Sequence, residues 1–316
     1  MLGRYRLAPT GVNAILQGPP SVLEAFQAAF VRLLQAPPYN IPAPSVDWKL
    51  GDLRPDLPLG SQSFPDLKVQ KVKEIVSYLN PPASAPLPPP PDSVPVSRLS
   101  PSEWHLLLSS PSSSTVLLDV RNLYESNIGL FCAPGAKTLR PPLRKFSDFD
   151  SGYWDSIGEQ LEGKDVLMYC TGGVRCDAVL PHLAAWKRSG GEGGVRSLGL
   201  LEGGICRYLE AYGVQEGEGG EGGEGTKGEA SGVQEGKGGA GGNGDSRFLG
   251  KNFVFDPRRH DPQVSSSLAA IGTCVACEAP WDDYDHGGGH QDFGETRCDK
   301  CRVLILVCAT WRERQG

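Results

Sequence analysis

The sequence predicts a mainly parallel α/β unit, flanked by a smaller α+β unit ahead of it and a loop-rich four-cysteine module behind it. Three observations carry this. Strand-like and helix-like segments alternate between residues 92 and 212, as in a parallel sheet with crossover helices. Two low-complexity stretches, 81–91 and 213–246, cut the 316 residues into three parts. The last part carries two C-x2-C pairs. A hydrophobic content of 39% is enough to build packed cores and excludes a wholly disordered chain.

In unit one, residues 1–80, short strands are expected at Gly3–Leu7 and Val12–Leu16, and another across Leu67–Leu79. Ser21 with Glu24 three residues on reads as a capping box for a helix over Val22 to Leu34. In unit two, residues 92–212, strands are expected at Val94–Arg98, Val116–Val120, Val166–Cys170 and Val195–Leu200. One helix opens at Ser100-Pro101-Ser102-Glu103, a capping box with proline at its first position. Another follows Arg175 toward Trp186, and a last one follows Gly203-Gly204. Unit three spans residues 247–316.

The linkers differ in character. Residues 81–91 are proline-rich and stiff. Residues 213–246 hold 15 glycines, seven acids and two lysines, with nothing to bury, and read as a disordered linker. That stretch carries −5 of the net charge of −6, so the folded parts together carry −1. Charge therefore neither favours nor excludes a nucleic-acid partner. The longest purely apolar run, Val303–Ala309, is too short for a membrane span. The first residues show neither a signal core nor a transit segment.

The most informative stretch is Cys170-Thr171-Gly172-Gly173-Val174-Arg175, between a buried strand and a helix. Open α/β sheets place their ligands at such strand ends. The glycines let successive N–H groups form an anion nest, the helix start adds partial positive charge, and Arg175 adds a full one. Together they should make Cys170 a thiolate near neutral pH. The plain alternative is a structural cysteine beside a turn. Phosphatases on related sheets separate cysteine and arginine by one more residue, so the four-residue gap here suits a smaller group than phosphate.

This loop, with LLDVR at 117–121, Glu125, Pro134-Gly135-Ala136 and LLEGGI at 200–205, resembles a rhodanese domain. The resemblance implies that Asp119 and Arg121 form a buried ion pair bracing the loop. The flanks extend it. RLAPTGVN at 6–13, KVQKVKEIV at 68–76 and FVFDPR at 253–258, ahead of the paired C-x2-C motifs, are similar to the rhodanese-containing tRNA uridine hydroxylases. Their loop reads CTGGIRCE, with Val174 and Asp177 here in place of Ile and Glu. The resemblance implies a ferredoxin- or acylphosphatase-like amino-terminal domain lacking its first strand. It also implies C5 hydroxylation of a wobble uridine, Cys170 as the active residue, tRNA as partner and O2 as co-substrate. A rhodanese-type sulfurtransferase, passing a persulfide to a thiol acceptor, is the alternative, and an inactive zinc-bearing interaction module is a third. No flavin, nicotinamide or two-histidine iron motif appears. Cys176 stands where a resolving thiol would, and equally where a core residue of the helix would.

Cys274, Cys277, Cys298 and Cys301 form two knuckles twenty residues apart, the donor set of a closed structural Zn2+ site. His286 and His290 between them read as part of a solvated glycine-rich loop, and Cys132, Cys206 and Cys308 as packing residues. Lys137, Arg140, Arg144 and Lys145 form the leading patch for tRNA phosphates. Lys68, Lys71 and Lys73, with Arg4 and Arg6, form a second. The expected compartment is reducing and soluble: cytoplasm by default, or a plastid or other organelle stroma.

Overall fold

The computed structural model describes residues 1–42, 46–76, 94–149, 151–185, 194–215, 246–264, 270–284 and 296–314. At the amino end, β1 (Leu2–Ala8) and β2 (Gly11–Gln17) form an antiparallel hairpin, followed by α1 (Pro20–Gln35) and β3 (Leu67–Lys71). β3 pairs parallel to β1, so the sheet order is β2-β1-β3. This is an α+β unit of three strands and one helix, fewer than the βαββαβ of a ferredoxin-like domain. The expected capping box is absent: Pro19 is the N-cap without a side-chain bond, and Ser21 lies inside the first turn. Pro20, with φ preset for a helix, starts it one residue earlier. β3 also ends sooner than expected, at Lys71, and residues 77–79 lie outside the described residues.

The central unit follows the expected alternation. It runs β4 (Val96–Leu99), α2 (Pro101–Ser109), β5 (Thr115–Asp119), α3 (Leu123–Ser126), β6 (Gly129–Phe131) and β7 (Lys137–Leu139). It continues α4 (Ser151–Leu161), β8 (Asp165–Tyr169), α5 (Val174–Ala185), β9 (Ser197–Leu201) and α6 (Gly204–Tyr212). The Ser100–Glu103 capping box forms as read, with both reciprocal bonds made. Five strands pair in parallel, in the order β4-β9-β8-β5-β7. β8, the strand that delivers the thiol loop, is central.

Alternation along these strands fills two cores. Val116, Leu118, Val166, Met168, Leu198 and Leu200 pack on one face, with Trp154 and Val179 from the helices. Leu117, Leu167, Tyr169 and Leu201 pack on the other, with Trp104 and Tyr208. Burial on both faces explains why these strands read as continuous apolar runs. Each fully buried leucine contributes roughly 1.5–3 kcal/mol.

The carboxyl-terminal segment is stitched to this unit twice. β10 (Val214–Gln215) pairs with β12 (Gln263–Val264), and β11 (Phe248–Gly250) pairs with β6. Phe248 is buried in the second core. Val214 and Gln215, assigned from sequence to the linker, are thus strand residues, and 216–245 and 77–93 lie outside the described residues. The chain ends on α7 (Ala309–Glu313). Among the described residues no helix is long and apolar enough to cross a membrane.

Candidate active site

Cys170 follows β8 directly and is buried. The Gly173 N–H donates to its Sγ at 3.1 Å, and the Gly172 and Cys176 N–H groups point at the same sulfur. Gly173 sits at φ 92, a left-handed conformation that favours glycine. The loop is held from below by the start of α6, where Ile205 N–H donates to Cys170 O and Cys206 N–H to Thr171 O, each at 3.0 Å. Gly204 makes that approach feasible: a Cβ there would lie 2.5 Å from Cys170 O.

Burial raises the Cys170 pKa, but the Cys176 thiol hydrogen bond, the Arg175 charge and the loop N–H groups outweigh it and bring it to about 5. Cys170 is therefore a thiolate at neutral pH. Cys176 moves the other way: burial and the neighbouring thiolate hold its thiol well above the usual range, and it donates to Cys170. The nest, the helix start and Arg175 thus act as the sequence implied.

Arg175 has a further commitment that the sequence did not reveal. Its Nη1 and Nη2 donate to Glu125 Oε1 and Oε2 at 2.6 and 2.8 Å, and Nη2 also to Thr171 Oγ1 at 2.8 Å. Glu125 is fully buried on α3, and its Oε1 also accepts the Asn122 N–H of a capping box. Asp119 and Arg121 form a separate ion pair, 2.7 Å apart and both fully buried. Arg121 also donates to Gly129 O at 2.5 Å, and its guanidinium lies 5.7 Å from the centre of the Tyr169 ring. This pair ties β5 to β6 and β8, while Glu125 is the residue that holds the loop arginine.

A family model described as Rhodanase C-terminal matches residues 249–315. Rhodanese-like domain-containing protein 6 of Arabidopsis thaliana is 35% identical over 319 residues, 98% of this chain and 45% of that protein. A tRNA uridine(34) hydroxylase of Picosynechococcus is 30% identical over 325 residues, 100% of this chain and 86% of that protein. The chain belongs to the tRNA uridine(34) hydroxylase family. It spans about half the length of several other relatives, including 55% of the tRNA uridine(34) hydroxylase of Kocuria rhizophila.

In this hydroxylase-family chain the cysteine-rich segment departs from the sequence reading. The thiols of Cys274, Cys277 and Cys308 lie within 4.8 Å of one another, whereas Cys298 and Cys301 fall outside that group. Cys308, expected to be a packing residue, joins because it caps α7 beside the first knuckle. Its N–H donates to Cys274 Sγ at 3.3 Å, and its Sγ accepts from Trp311 N–H at 3.4 Å and lies 3.5 Å from Cys277 Sγ. Backbone donors to sulfur favour thiolates, and three thiols at this spacing fit three of the four corners of a tetrahedral metal site. Cys298 and Cys301 keep a knuckle of their own, with Arg302 N–H donating to Cys298 O at 2.8 Å. His286 and His290 lie outside the described residues.

The basic residues separate as well. Lys137 pairs in register with Val116 and bonds Gln160, at the end of the sheet away from the thiol loop. It is a poor companion for substrate there, because in a parallel sheet the β7 start faces the strand beginnings. Arg140 follows the end of β7. Arg144 and Lys145 lie beside α3, where Leu123 N–H donates to Leu143 O, and line a cavity with Tyr124. In the amino-terminal unit Arg4 is paired with Asp66 at 2.8 Å, while Lys68 and Lys71 stay exposed on β3. One approach was not legible at all: Lys49 brings its Cε to within 3.9 Å of where a Gly172 side chain would stand.

Proposed function

We propose that this protein hydroxylates the wobble uridine of tRNA at C5, with the Cys170 thiolate as the acting group and O2 as co-substrate. The likeness that covers the whole chain, at 30% identity to a tRNA uridine(34) hydroxylase, carries this reading over that of a simple sulfur carrier. The chemistry of the loop is consistent with it. A thiolate near C6 of a uracil ring adds there and moves electron density to C5, which then takes oxygen. One oxygen atom enters the C5–H bond and the other leaves as water. Cys170 leaves C6 as the ring double bond re-forms, and the two electrons come from the freed Cys170 thiolate and a second thiol as they close to a disulfide, with one proton from that thiol and one from solvent. Cys176, whose thiol already donates to Cys170, is the second thiol of that pair in our reading.

A thiolate with a pKa of about 5 would also carry a sulfane sulfur, so persulfide transfer to a thiol acceptor is the competing reaction. Mass spectrometry of wobble uridine in cells lacking the gene, rescued with wild type or Cys170→Ser, separates the two. Loss of the hydroxylated nucleoside with rescue by wild type alone is expected. Full hydroxylation without the protein, alongside lost persulfide transfer, would overturn the proposal.

We further propose that Cys274, Cys277 and Cys308 hold a structural Zn2+, which would fix the carboxyl-terminal fold and take no part in the reaction. The β-hairpin, helix and strand of the amino-terminal unit are read as part of a ferredoxin-like domain. With nine free cysteines, the chain suits a reducing compartment.

A further inference from the structure

The amino-terminal unit reaches the thiol loop through the segment between α1 and β3. Trp48 sets its ring against Phe26 and Phe30 of α1, edge to face at 6.3 and 5.9 Å between ring centres. From the other side, Arg207 of α6 donates to Asp47 Oδ1 at 2.8 Å and to Trp48 O. Farther on, Arg258 Nη1 donates to Asp52 O at 2.7 Å, and Arg54 Nη1 to Arg258 O at 2.9 Å. Residues 47–54 are thus pinned at both ends between different parts of the molecule, and Lys49 lies inside that span. The central unit alone does not carry this segment.

Lys49 is half-buried, and its Cε comes within 3.9 Å of where a Gly172 side chain would stand. Glycine there leaves the face of the loop open beneath the lysine stem. The ammonium pairs with Asp47, a carboxylate that it shares with Arg207. That pairing does not exhaust it, since an ammonium has three N–H donors and one goes to Asp47. Arg175 is in the opposite state, with both Nη groups given to Glu125 and Thr171. The Lys49 charge is also felt at Cys206, where it opposes the rise in thiol pKa that burial and Asp261 impose. Cys206 N–H is one of the two donors that hold the loop from below. Lys49 therefore stands over the residues that follow Cys170 rather than at the sulfur itself.

A thiolate that adds to C6 of a uracil puts its electron pair into the Sγ–C6 bond. The C5=C6 π pair moves between C5 and C4, and the C4=O π pair moves onto O4. The charge that Cys170 carried is then on O4, three bonds beyond C6 and away from the sulfur. An oxyanion that develops beside a buried thiolate is stabilised most by a donor already in place. We propose that Lys49 is that donor, giving an N–H to O4 of the uracil as Cys170 adds to C6. The lysine keeps its proton, and the charge returns from O4 through C5 when C5 takes oxygen. This rests on the wobble-uridine reading above and deepens it. The amino-terminal unit, on this account, brings the O4 donor to a loop whose own arginine is already spent.

The test uses the full-length protein under nitrogen and an anticodon stem-loop RNA with 5-fluorouridine at the wobble position. C6 of that base takes a thiolate without an oxidant, C5 takes a proton from solvent, and the adduct is followed by intact-mass spectrometry at saturating RNA. Wild type should form the adduct and Cys170→Ser should form none. Lys49→Gln should slow its formation by about 100-fold or more, with RNA affinity and its salt dependence unchanged. Lys49→Arg, which keeps the charge, should recover most of the rate. Iodoacetamide should label Cys170 in Lys49→Gln as fast as in wild type, which shows that the loop is intact. If wild type forms no adduct, the addition of Cys170 to C6 fails and takes this proposal with it. If wild type forms the adduct and Lys49→Gln forms it equally fast, the role of Lys49 fails and the wobble-uridine reading stands. A slower iodoacetamide reaction in Lys49→Gln would make the lysine a prop of the loop and overturn the proposal. Weaker RNA binding with a flatter salt slope, at an unchanged adduct rate, would make it a phosphate contact and overturn it too.

Discussion

Replacing Glu125 by glutamine tests whether the loop arginine is braced as the structure has it. Glu125 is fully buried and accepts both Nη groups of Arg175 at 2.6 and 2.8 Å. Glutamine keeps an oxygen for the Asn122 N–H, so the cap of α3 survives. What is lost is the charge opposite a guanidinium that is itself buried. Breaking such a pair from one side costs about 3–5 kcal/mol. The retained hydrogen bonds place the glutamine variant near the lower end, about 3 kcal/mol. With a urea m-value of about 2–3 kcal/mol/M, the unfolding midpoint should fall by about 1–1.5 M. Thr171 and the Phe255 ring still hold the guanidinium beside the loop, now with its charge unshared. The Cys170 alkylation pKa should therefore fall below the wild-type value. Asp119→Asn, which breaks the other buried pair, should destabilise comparably and leave that pKa in place. A midpoint shift equivalent to less than about 1 kcal/mol, or a Cys170 pKa that rises, would refute the bracing role.

Iodoacetamide labelling of Cys170, followed by mass spectrometry, should titrate with a midpoint near pH 5, while Cys176 stays unlabelled through neutral pH. A Cys170 midpoint near the ordinary 9.0 would remove the anion nest from the mechanism. Because the folded value lies below the unfolded one, the thiolate's contribution to stability is complete above pH 9.0 and is lost as pH falls toward 5. Cys170→Ser should flatten that part of the stability profile. Zinc content of the purified protein should drop as far in Cys308→Ser as in Cys274→Ser, and full zinc in Cys308→Ser would exclude the three-thiol site. Deleting 216–245, which carries the whole −5 of the linker, should leave thermal unfolding unchanged and tighten RNA binding at low salt. Weaker binding after deletion would show that the segment contacts the RNA.

Local signals proved legible, and long-range partners did not. The Ser100–Glu103 cap, the four apolar strands and the helix starts at Val174 and Gly204 lie in unbroken stretches of sequence, and each formed within a few residues of its expected place. The thiol loop was legible for the same reason. β6 and β7, three residues each, are too short to show a period. Glu125 stands 50 positions from Arg175, and no spacing rule joins a carboxylate on α3 to a guanidinium on α5. Cys308 lacks a second cysteine at the C-x2-C distance, where Trp311 stands, so it gave no knuckle signal. Lys137 and Arg144 are close in sequence, yet a parallel strand and the turn after it carry them to different ends of the sheet.

The placement of Arg175 bears on which substrates the loop can serve. A phosphate held in such a loop needs the arginine's N–H groups turned toward it. Here both Nη groups are engaged by Glu125 and Thr171, and Arg175 acts on the thiolate through its field rather than by gripping a ligand. The one-residue-shorter loop and this commitment both disfavour phosphate in the nest, one by size and one by the donors already spent on Glu125 and Thr171. Phosphate recognition, which any RNA substrate demands, then has to come from cations outside the loop.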